Sequence, residues 1–278
     1  MLRLLDPHAV RPSLDQLGLG AAQRAALARL VAQPHGMVLV TGPTGSGKTT
    51  TLYALLGELD RERLNVMTVE DPVEYELPGV SQTQINLRAG MTFARGLRAI
   101  LRQDPDVVLI GEIRDPETAQ IAVQASLTGH LLLSTLHTNT ALGAVTRLRD
   151  LGVADFLLAA TLRGLVAQRL VRRLCPHCRR PQTLGPAEAQ LAGLPAGSGA
   201  FRAAGCPQCS HTGYAGRCAL VEVVELDETL CRLIHEGAGE AELERQVRDR
   251  LPSLRQEGFR LVAAGVTSIE EVLRATVD

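Results

Sequence analysis

The segment VTGPTGSGKTTTLYALL, Val40 to Leu56, constrains the fold more than any other part of the chain. Within it, GPTGSGKT fits the pattern G-x-x-x-x-G-K-[ST] of a loop that follows a strand, opens a helix and binds nucleotide phosphates. Glycines let the backbone turn its N–H groups toward phosphate, and the helix contributes its positive N-terminal end. A purely structural glycine turn is the alternative reading of this loop.

The motif predicts that its residues bind the phosphates of a nucleotide and a metal ion. Lys48 neutralises the β and γ phosphate oxygens, and the Thr49 hydroxyl is a ligand of Mg²⁺. The predicted cofactors are therefore ATP and Mg²⁺. The residues expected to bind the nucleotide are Gly42, Pro43, Thr44, Gly45, Ser46, Gly47, Lys48, Thr49 and Thr50.

Short apolar runs alternate with helical patterns through the first half of the chain. The predicted strands are GMVLVTG, LNVMTVED, DVVLIGE and HLLLSTLH, and the predicted helices are Lys48 to Leu59 and Thr118 to Thr128. Continuous apolar runs between helices indicate a parallel sheet covered on both faces. The fold class is α/β, with ligands at the carboxyl ends of the strands. One short amphipathic helix is predicted within residues 14–36, and several helices are predicted within residues 141–174 and 219–278.

Polar residues follow three of the predicted strands. Glu70 ends one strand, Glu112 follows the run DVVLIG, and His137 ends a third. Many phosphate-loop enzymes carry an Asp where this chain has Gly111. A histidine at a strand end is often only a hydrogen-bonded structural residue. Three polar strand ends beside a phosphate loop predict a catalytic site.

Four cysteines form two C-x₂-C pairs, whose members are Cys175, Cys178, Cys206 and Cys209. Four thiolates suit tetrahedral Zn²⁺, and a closed Cys₄ shell predicts a structural zinc. A redox pair or unrelated thiols are the alternatives, and His177 or His211 could replace a ligand. Cys218 and Cys231 are expected to be buried thiols.

The charge balance argues against a nucleic-acid partner. Lys+Arg (29) nearly equals Asp+Glu (30), and aromatic residues make up 3% of the chain, which leaves few platforms for base stacking. The basic cluster from Arg169 to Arg180 is expected to be a solvated surface. No apolar run is long enough to span a membrane and no secretory leader opens the chain, so a cytoplasmic location is predicted.

Across residues 37–174, four motifs in order resemble the secretion ATPase superfamily of type II secretion systems and type IV pili. TGPTGSGKTTTLY is similar to its phosphate loop, and TVEDPVEY to its Asp box. ILRQDPDVVLIGEIRD resembles its atypical Walker B segment, and GHLLLSTLHTN its His box. The fold implied is a RecA-like ATPase core.

The resemblance implies roles for the polar strand ends. Glu70 would activate water, Glu112 would serve near Mg²⁺, and His137 would contact or sense the γ-phosphate. Three arginines match residues that line the nucleotide site or the subunit contact in the family: Arg98, Arg102 and Arg114. The alternative is that they are ordinary charged residues on the surface of a helix.

The tetracysteine segment occurs in the type II secretion and pilus-extension branches, and the sequence is most similar to the former. The resemblance implies a homo-hexameric ATPase that drives pseudopilus assembly from the cytoplasmic face of the inner membrane. Its partners would be an inner-membrane platform protein and a membrane-anchored docking protein, with no nucleic acid. The alternatives are a pilus-extension ATPase, a nucleic-acid motor and a nucleotide-binding subunit without turnover.

The predicted organisation has four parts. They are a linker and helical lead-in (1–36), the ATPase core (37–174), the zinc subdomain (175–218) and a C-terminal helical region (219–278). The segment LLDPHAVRPSLDQLGL resembles the family's linker to further N-terminal domains. The sequence does not decide whether such domains were removed or never encoded.

Overall fold

The computed structural model describes residues 13–276. Its strands are β1 (Gly36–Thr41), β2 (Val66–Glu70), β3 (Val80–Gln84), β4 (Val107–Ile110), β5 (Leu131–Leu136), β6 (Leu162–Leu174), β7 (Arg180–Thr183), β8 (Gly199–Arg202) and β9 (Tyr214–Glu225). Its α-helices are α1 (Ala21–Val31), α2 (Lys48–Gly57), α3 (Phe93–Ile100), α4 (Pro116–Leu127), α5 (Gly143–Asp150), α6 (Asp155–Thr161), α7 (Pro186–Ala192), α8 (Glu228–His235), α9 (Glu240–Arg248), α10 (Leu254–Ala263) and α11 (Ile269–Ala275).

Seven strands form one sheet in the order β3-β2-β4-β5-β1-β6-β9. The first six of these are parallel to their neighbours, and β9 pairs antiparallel with β6 at the edge. Strand β1 therefore lies between β5 and β6, and the loop after β1 emerges among the carboxyl ends of other strands. In open α/β sheets this edge is where ligands bind.

Both faces of the sheet are covered, which explains the continuous apolar runs. Met37 and Leu39 of β1 pack with helices α4 to α6 on one face, whereas Val38 and Val40 pack with α1 and α2 on the other. Every residue of β1 and β5 is buried. The predicted α/β, RecA-like parallel-sheet class is confirmed, with a clustered tetracysteine segment and C-terminal helices.

The prediction that residues 141–174 continue as helices is wrong for the second half of that range. Helices α5 and α6 are present, but residues 162–174 form the long strand β6. A Cβ at Gly164 would lie 2.4 Å from the Cδ1 of Leu30, so glycine lets α1 cross the strand closely. Tertiary packing between β1 and β9 outweighs a helix-like spacing of leucines in this stretch.

Two other predictions need correction. The start of the region predicted as C-terminal helices, residues 219–225, is the second half of strand β9, which is buried up to residue 224, and the helices begin at Glu228. The single helix predicted within residues 14–36 is a 3-10 turn (Leu14–Leu17) followed by α1. The residue 218 boundary between predicted parts falls inside β9. The first twelve residues of the predicted linker lie outside the described residues.

Candidate functional site

A cavity of about 720 Å³ lies at the carboxyl edge of the sheet, beside the phosphate loop. The loop residues Thr44 to Thr50 form one wall. Strand ends, the segments after them and the long strands β6 and β9 form the rest of the lining, with side chains contributed by Glu70, Asp71, Glu74, Tyr75, Phe93, Glu112, Arg114, Thr135, His137, Leu170 and Arg217. Residues distant in sequence thus meet because parallel strands end at one edge.

The backbone of the phosphate loop has the conformation that its glycines allow. Gly42, Gly45 and Gly47 have φ angles of 146°, 79° and 88°, a region that side-chain-bearing residues rarely adopt. A Cβ at Gly42 would lie 2.6 Å from Ser46 Oγ. Ser46 Oγ is buried and has no hydrogen-bond partner among residues 13–276. Such an unsatisfied donor in a loop of exposed N–H groups suits an anionic ligand.

Lys48 is the only lysine among the 29 Lys and Arg residues of the chain. Its Nζ donates hydrogen bonds to the carbonyl oxygens of Gly42 (2.7 Å) and Pro43 (3.1 Å). Burial lowers the pKa of Lys48, an effect that nearby Glu112 opposes and Arg169 reinforces. The structure therefore places a compact, partly desolvated ammonium group at the loop, where phosphate oxygens could replace the two carbonyls.

Gln168 on β6 supports the phosphate loop from behind, a contact that the sequence analysis did not anticipate. Its side chain is almost fully buried (1% exposed). Its Nε2 donates to the Ser46 carbonyl oxygen (2.9 Å), and its Oε1 accepts from Thr51 Oγ1 (2.7 Å). One amide thus joins the loop to the first turn of α2. A lone glutamine inside the apolar run LVAQRL was the available signal, because a buried amide requires partners.

Glu112, Arg114 and His137 meet at one side of the cavity. Glu112 Oε2 lies 2.5 Å from Arg114 Nε and 3.3 Å from His137 Nε2. The carboxylate is largely buried, whereas the arginine and the histidine are more exposed. The structure thus gathers the residues predicted for the Walker B and His-box roles around one carboxylate.

Glu70 lies on the same cavity and is almost fully buried (2% exposed). Its Oε1 accepts hydrogen bonds from Thr68 Oγ1 (2.5 Å) and Gln82 Nε2 (3.1 Å), and its Oε2 accepts from the Tyr53 hydroxyl. A carboxylate offers about four acceptor positions, so one remains open at Oε2. That position allows Glu70 to accept a proton from a water molecule in the cavity.

Two predicted residues lie apart from this cavity within a single chain. Arg98 on α3 forms an ion pair with Glu117 (2.6 Å), and Arg102 is exposed in the following 3-10 turn. Arg98 lines a different, shallow cavity with Gln120 and Gln124. Of the three predicted arginines, only Arg114 borders the phosphate loop's cavity.

The four cysteines cluster as their spacing predicts. Their sulfur atoms lie within 4.8 Å of one another, with Sγ–Sγ distances of 3.9 Å (Cys175–Cys206), 3.8 Å (Cys178–Cys209) and 3.7 Å (Cys206–Cys209). A tetrahedral zinc with Zn–S bonds of about 2.3 Å requires Sγ–Sγ distances of about 3.8 Å. Neither of the neighbouring histidines belongs to this group of potential ligands in the described part of the chain. The cluster can hold a metal ion.

The cysteine cluster is anchored to the end of β6. The amide of Cys175 donates to the Gly213 carbonyl oxygen (2.9 Å), next to the start of β9. Three residues before Cys175, Arg172 of β6 pairs with Glu271 of α11 (2.6 Å). Burial opposes ionisation of Glu271, but hydrogen bonds from Arg172 and Arg274 outweigh it and lower its pKa to about 2.

The fold and the phosphate loop together define the class of α/β phosphate-loop proteins. Within that class, the chain belongs to the family of type II/IV secretion system proteins, whose model matches residues 1–274. The type II secretion system protein E of Aeromonas hydrophila is 57% identical over 99% of this chain, and the type II secretion system ATPase E of Vibrio cholerae serotype O1 is 55% identical over 100%. The chain spans 56% of the length of each of these relatives.

Solved structures support the fold assignment. The pilus retraction motor PilT with bound ADP has a TM-score of 0.73 at 27% identity, over 98% of this chain and 69% of that one. The ATPase DotB of Legionella pneumophila has a TM-score of 0.67 at 24% identity, over 94% of this chain and 64% of that one. Among residues 13–276, no helix has the length and apolarity needed to cross a membrane.

Proposed function

We propose that this chain is the ATP-hydrolysing core of a type II secretion motor. The observation that carries the proposal is the convergence of Lys48, Glu70, Glu112 and His137 on one cavity, in a chain 57% and 55% identical to two type II secretion relatives. ATP is the substrate, and Mg²⁺-dependent hydrolysis of its γ-phosphate is the reaction.

Different residues of the chain bind the phosphates, activate the attacking water and contact the γ-phosphate. The loop's N–H groups and Lys48 bind the phosphates, which lie against the positive N-terminal end of α2. Glu70 orients the attacking water and accepts its proton through the open position at Oε2. His137, beside Glu112, contacts or senses the γ-phosphate.

Thr49 and Glu112 are the residues that would hold Mg²⁺, directly or through water, and the ion would supply positive charge to the phosphate oxygens. The four cysteines would hold Zn²⁺, whose filled tetrahedral shell supports the fold and offers no position for catalysis. The spacing of the sulfur atoms suits this metal. The site cavity and the cysteine cluster therefore have separate tasks.

We further propose that six chains form a ring at the cytoplasmic face of the inner membrane. The ring would act on a membrane platform protein, be recruited by a membrane-anchored docking protein, and drive pseudopilus assembly. We propose the four-part organisation given by the sequence, except that strand β9 (Tyr214–Glu225) belongs to the sheet of the core and is not divided at residue 218. A pilus-assembly ATPase is the second candidate, because the resemblance gives that branch a tetracysteine segment as well and the four cysteines cluster here. The type II secretion relatives, at 57% and 55% identity, favour the first candidate.

Two substitutions test the reaction. Lys48→Ala should impair ATP binding and turnover, because the chain loses its only ammonium group at the phosphates. Glu70→Gln should retain ATP binding and lose hydrolysis by about 10²-fold or more, since the amide cannot accept the proton. Phosphate release and binding of a fluorescent ATP analogue measure the two effects.

Glu58→Gln, the same chemical change at an exposed residue beyond the end of α2, is the matched control. It should leave both quantities unchanged. Hydrolysis by Glu70→Gln at the parental rate would show that another group activates the water.

A further inference from the structure

Three side chains from three different elements hold the Glu70 carboxylate. Tyr53 comes from α2, Thr68 from β2, and Gln82 from β3. The hydroxyl of Tyr53 is also close to Gln82, whose Nε2 lies 3.3 Å from it. The carboxylate therefore sits in a closed group of hydrogen bonds, and its direction is fixed from three sides.

Tyr53 links this group to the phosphate loop, because it follows Lys48 by five residues on the same helix. Its side chain is 2% exposed, and its ring packs edge-to-face on Tyr75 with centroids 4.7 Å apart. Burial, and then the hydrogen bond to Glu70, raises the pKa of Tyr53, so the hydroxyl stays a donor. A rigid aromatic ring thus sets the distance between the phosphate-binding helix and Glu70.

All three donors to Glu70 are neutral, and this suits a carboxylate that must accept a proton. A bound cation would favour the charged form and make proton acceptance harder, whereas neutral donors orient the group with a smaller effect. The donors also occupy three of its four acceptor positions. They therefore select which lone pair meets the water.

We propose that Tyr53 and Gln82 are positioning residues for hydrolysis, which act by fixing the Glu70 carboxylate relative to the phosphate loop. The inference rests on the proposed role of Glu70 in ATP hydrolysis. Neither residue lines the cavity beside the phosphate loop, so each acts through Glu70. Misplacement of a reacting group by about 1 Å can cost about 10²-fold in rate.

The test is the single-turnover hydrolysis rate of the whole chain with Mg²⁺-ATP, measured together with the affinity for ATP. Tyr53→Phe removes one hydroxyl at nearly constant volume and should lower the rate about 10- to 100-fold. Its ATP affinity should stay within about twofold of the parent, because only the catalytic step is affected. Gln82→Met should act in the same direction.

Tyr214→Phe is the matched control. Its hydroxyl is hydrogen-bonded to Ser268, away from Glu70, and its side chain does not line the cavity of the phosphate loop, so this variant should hydrolyse ATP at the parental rate. Thermal unfolding of each variant verifies that it folds. If Tyr53→Phe does not fold, Gln82→Met carries the test alone.

A second comparison separates positioning from a general structural effect. In a Glu70→Gln background, Tyr53→Phe should cause little further loss, because its contribution passes through Glu70. A further loss as large as in the parent, or a parental rate for the folded single variants, would overturn the proposal. If Glu70→Gln itself kept the parental rate, the proposed function of Glu70 would fail instead.

Discussion

At the scale of residues, one buried amide, that of Gln168, holds the phosphate loop against β6. Its two hydrogen bonds hold the Ser46 carbonyl oxygen and the Thr51 hydroxyl at fixed positions relative to β6. A Cβ on Gly47 would lie 2.9 Å from Gln168 Nε2, so the loop packs closely on this side chain. Leaving buried polar partners unsatisfied costs about 1–3 kcal/mol. The loop would then be free to leave the phosphate-binding conformation.

Gln168→Met should therefore weaken ATP binding about tenfold while the sheet stays folded. Thr51→Val should produce a smaller effect of the same sign, since the bond to Ser46 remains. Gln190→Met, at an exposed position of α7, is the matched control and should bind ATP like the parent. Binding of a fluorescent ATP analogue measures all three, and parental affinity in folded Gln168→Met would contradict the argument.

The sequence predicts those site residues that belong to a motif of fixed spacing or that directly follow an apolar strand. Lys48 and Thr49 stand inside a contiguous motif, and Glu112 follows an apolar strand. Tyr53 and Gln168 were not predicted, because their importance depends on which strands are neighbours. That information lies in the order of the sheet and is absent from any local pattern.

Strand β6 joins the nucleotide site and the cysteine cluster at the scale of elements. Gln168 contacts the phosphate loop, and seven residues later Cys175 begins the cluster. The cysteine segment also has a small core of its own, in which Leu184 and Ala189 pack against Phe259 and Val262 of α10. This core is too small to hold the segment alone, so metal ligation should contribute much of its local stability.

Preparations of the protein should accordingly contain about one zinc per chain. Chelation should expose residues 175–213 to proteolysis or hydrogen exchange before the seven-stranded sheet, because ligation is coupled to local folding. Cys206→Ser should show the same local exposure without chelator, and Cys231→Ser is a control outside the cluster. Absence of metal, with four thiols titrating in the native protein, would rule out the site.

Helices and strands were predicted correctly where the spacing of apolar residues and the length of the apolar segment indicate the same element. They were confused where these two signals disagree. Residues 162–174 repeat leucines and valines at helix-like intervals, but a fully buried strand also tolerates apolar residues at every position. Pairing with β1 on one side and with β9 on the other stabilises residues 162–174 as a strand. Edge strand β3 carries a half-exposed polar sequence, VSQTQ, which has little apolar signal to detect.

At the scale of the whole molecule, two of the three predicted arginines lie outside the site of their own chain. Lys48, Arg114 and Arg217 border the cavity, and Arg114 is already paired with Glu112. Arg98 and Arg102 lie on an exposed surface away from it. Phosphoryl transfer commonly uses an arginine from another domain or subunit, which is worth about 10³–10⁵ in rate. We expect Arg98 and Arg102 to take this role in a neighbouring chain of the proposed ring.

The chain alone should therefore bind ATP but hydrolyse it slowly. Its hydrolysis rate per chain should rise steeply when six copies are held together, for example by fusion to a hexameric scaffold. Arg102→Ala should remove much of that rise while leaving the slow monomer rate unchanged. Arg232→Ala, at an exposed position of α8, is the matched control. Phosphate release is followed across protein concentration, with light scattering to report the oligomeric state. A high rate that stays constant in a strictly monomeric sample would place the complete site within one subunit, because no arginine from a neighbour would then be needed.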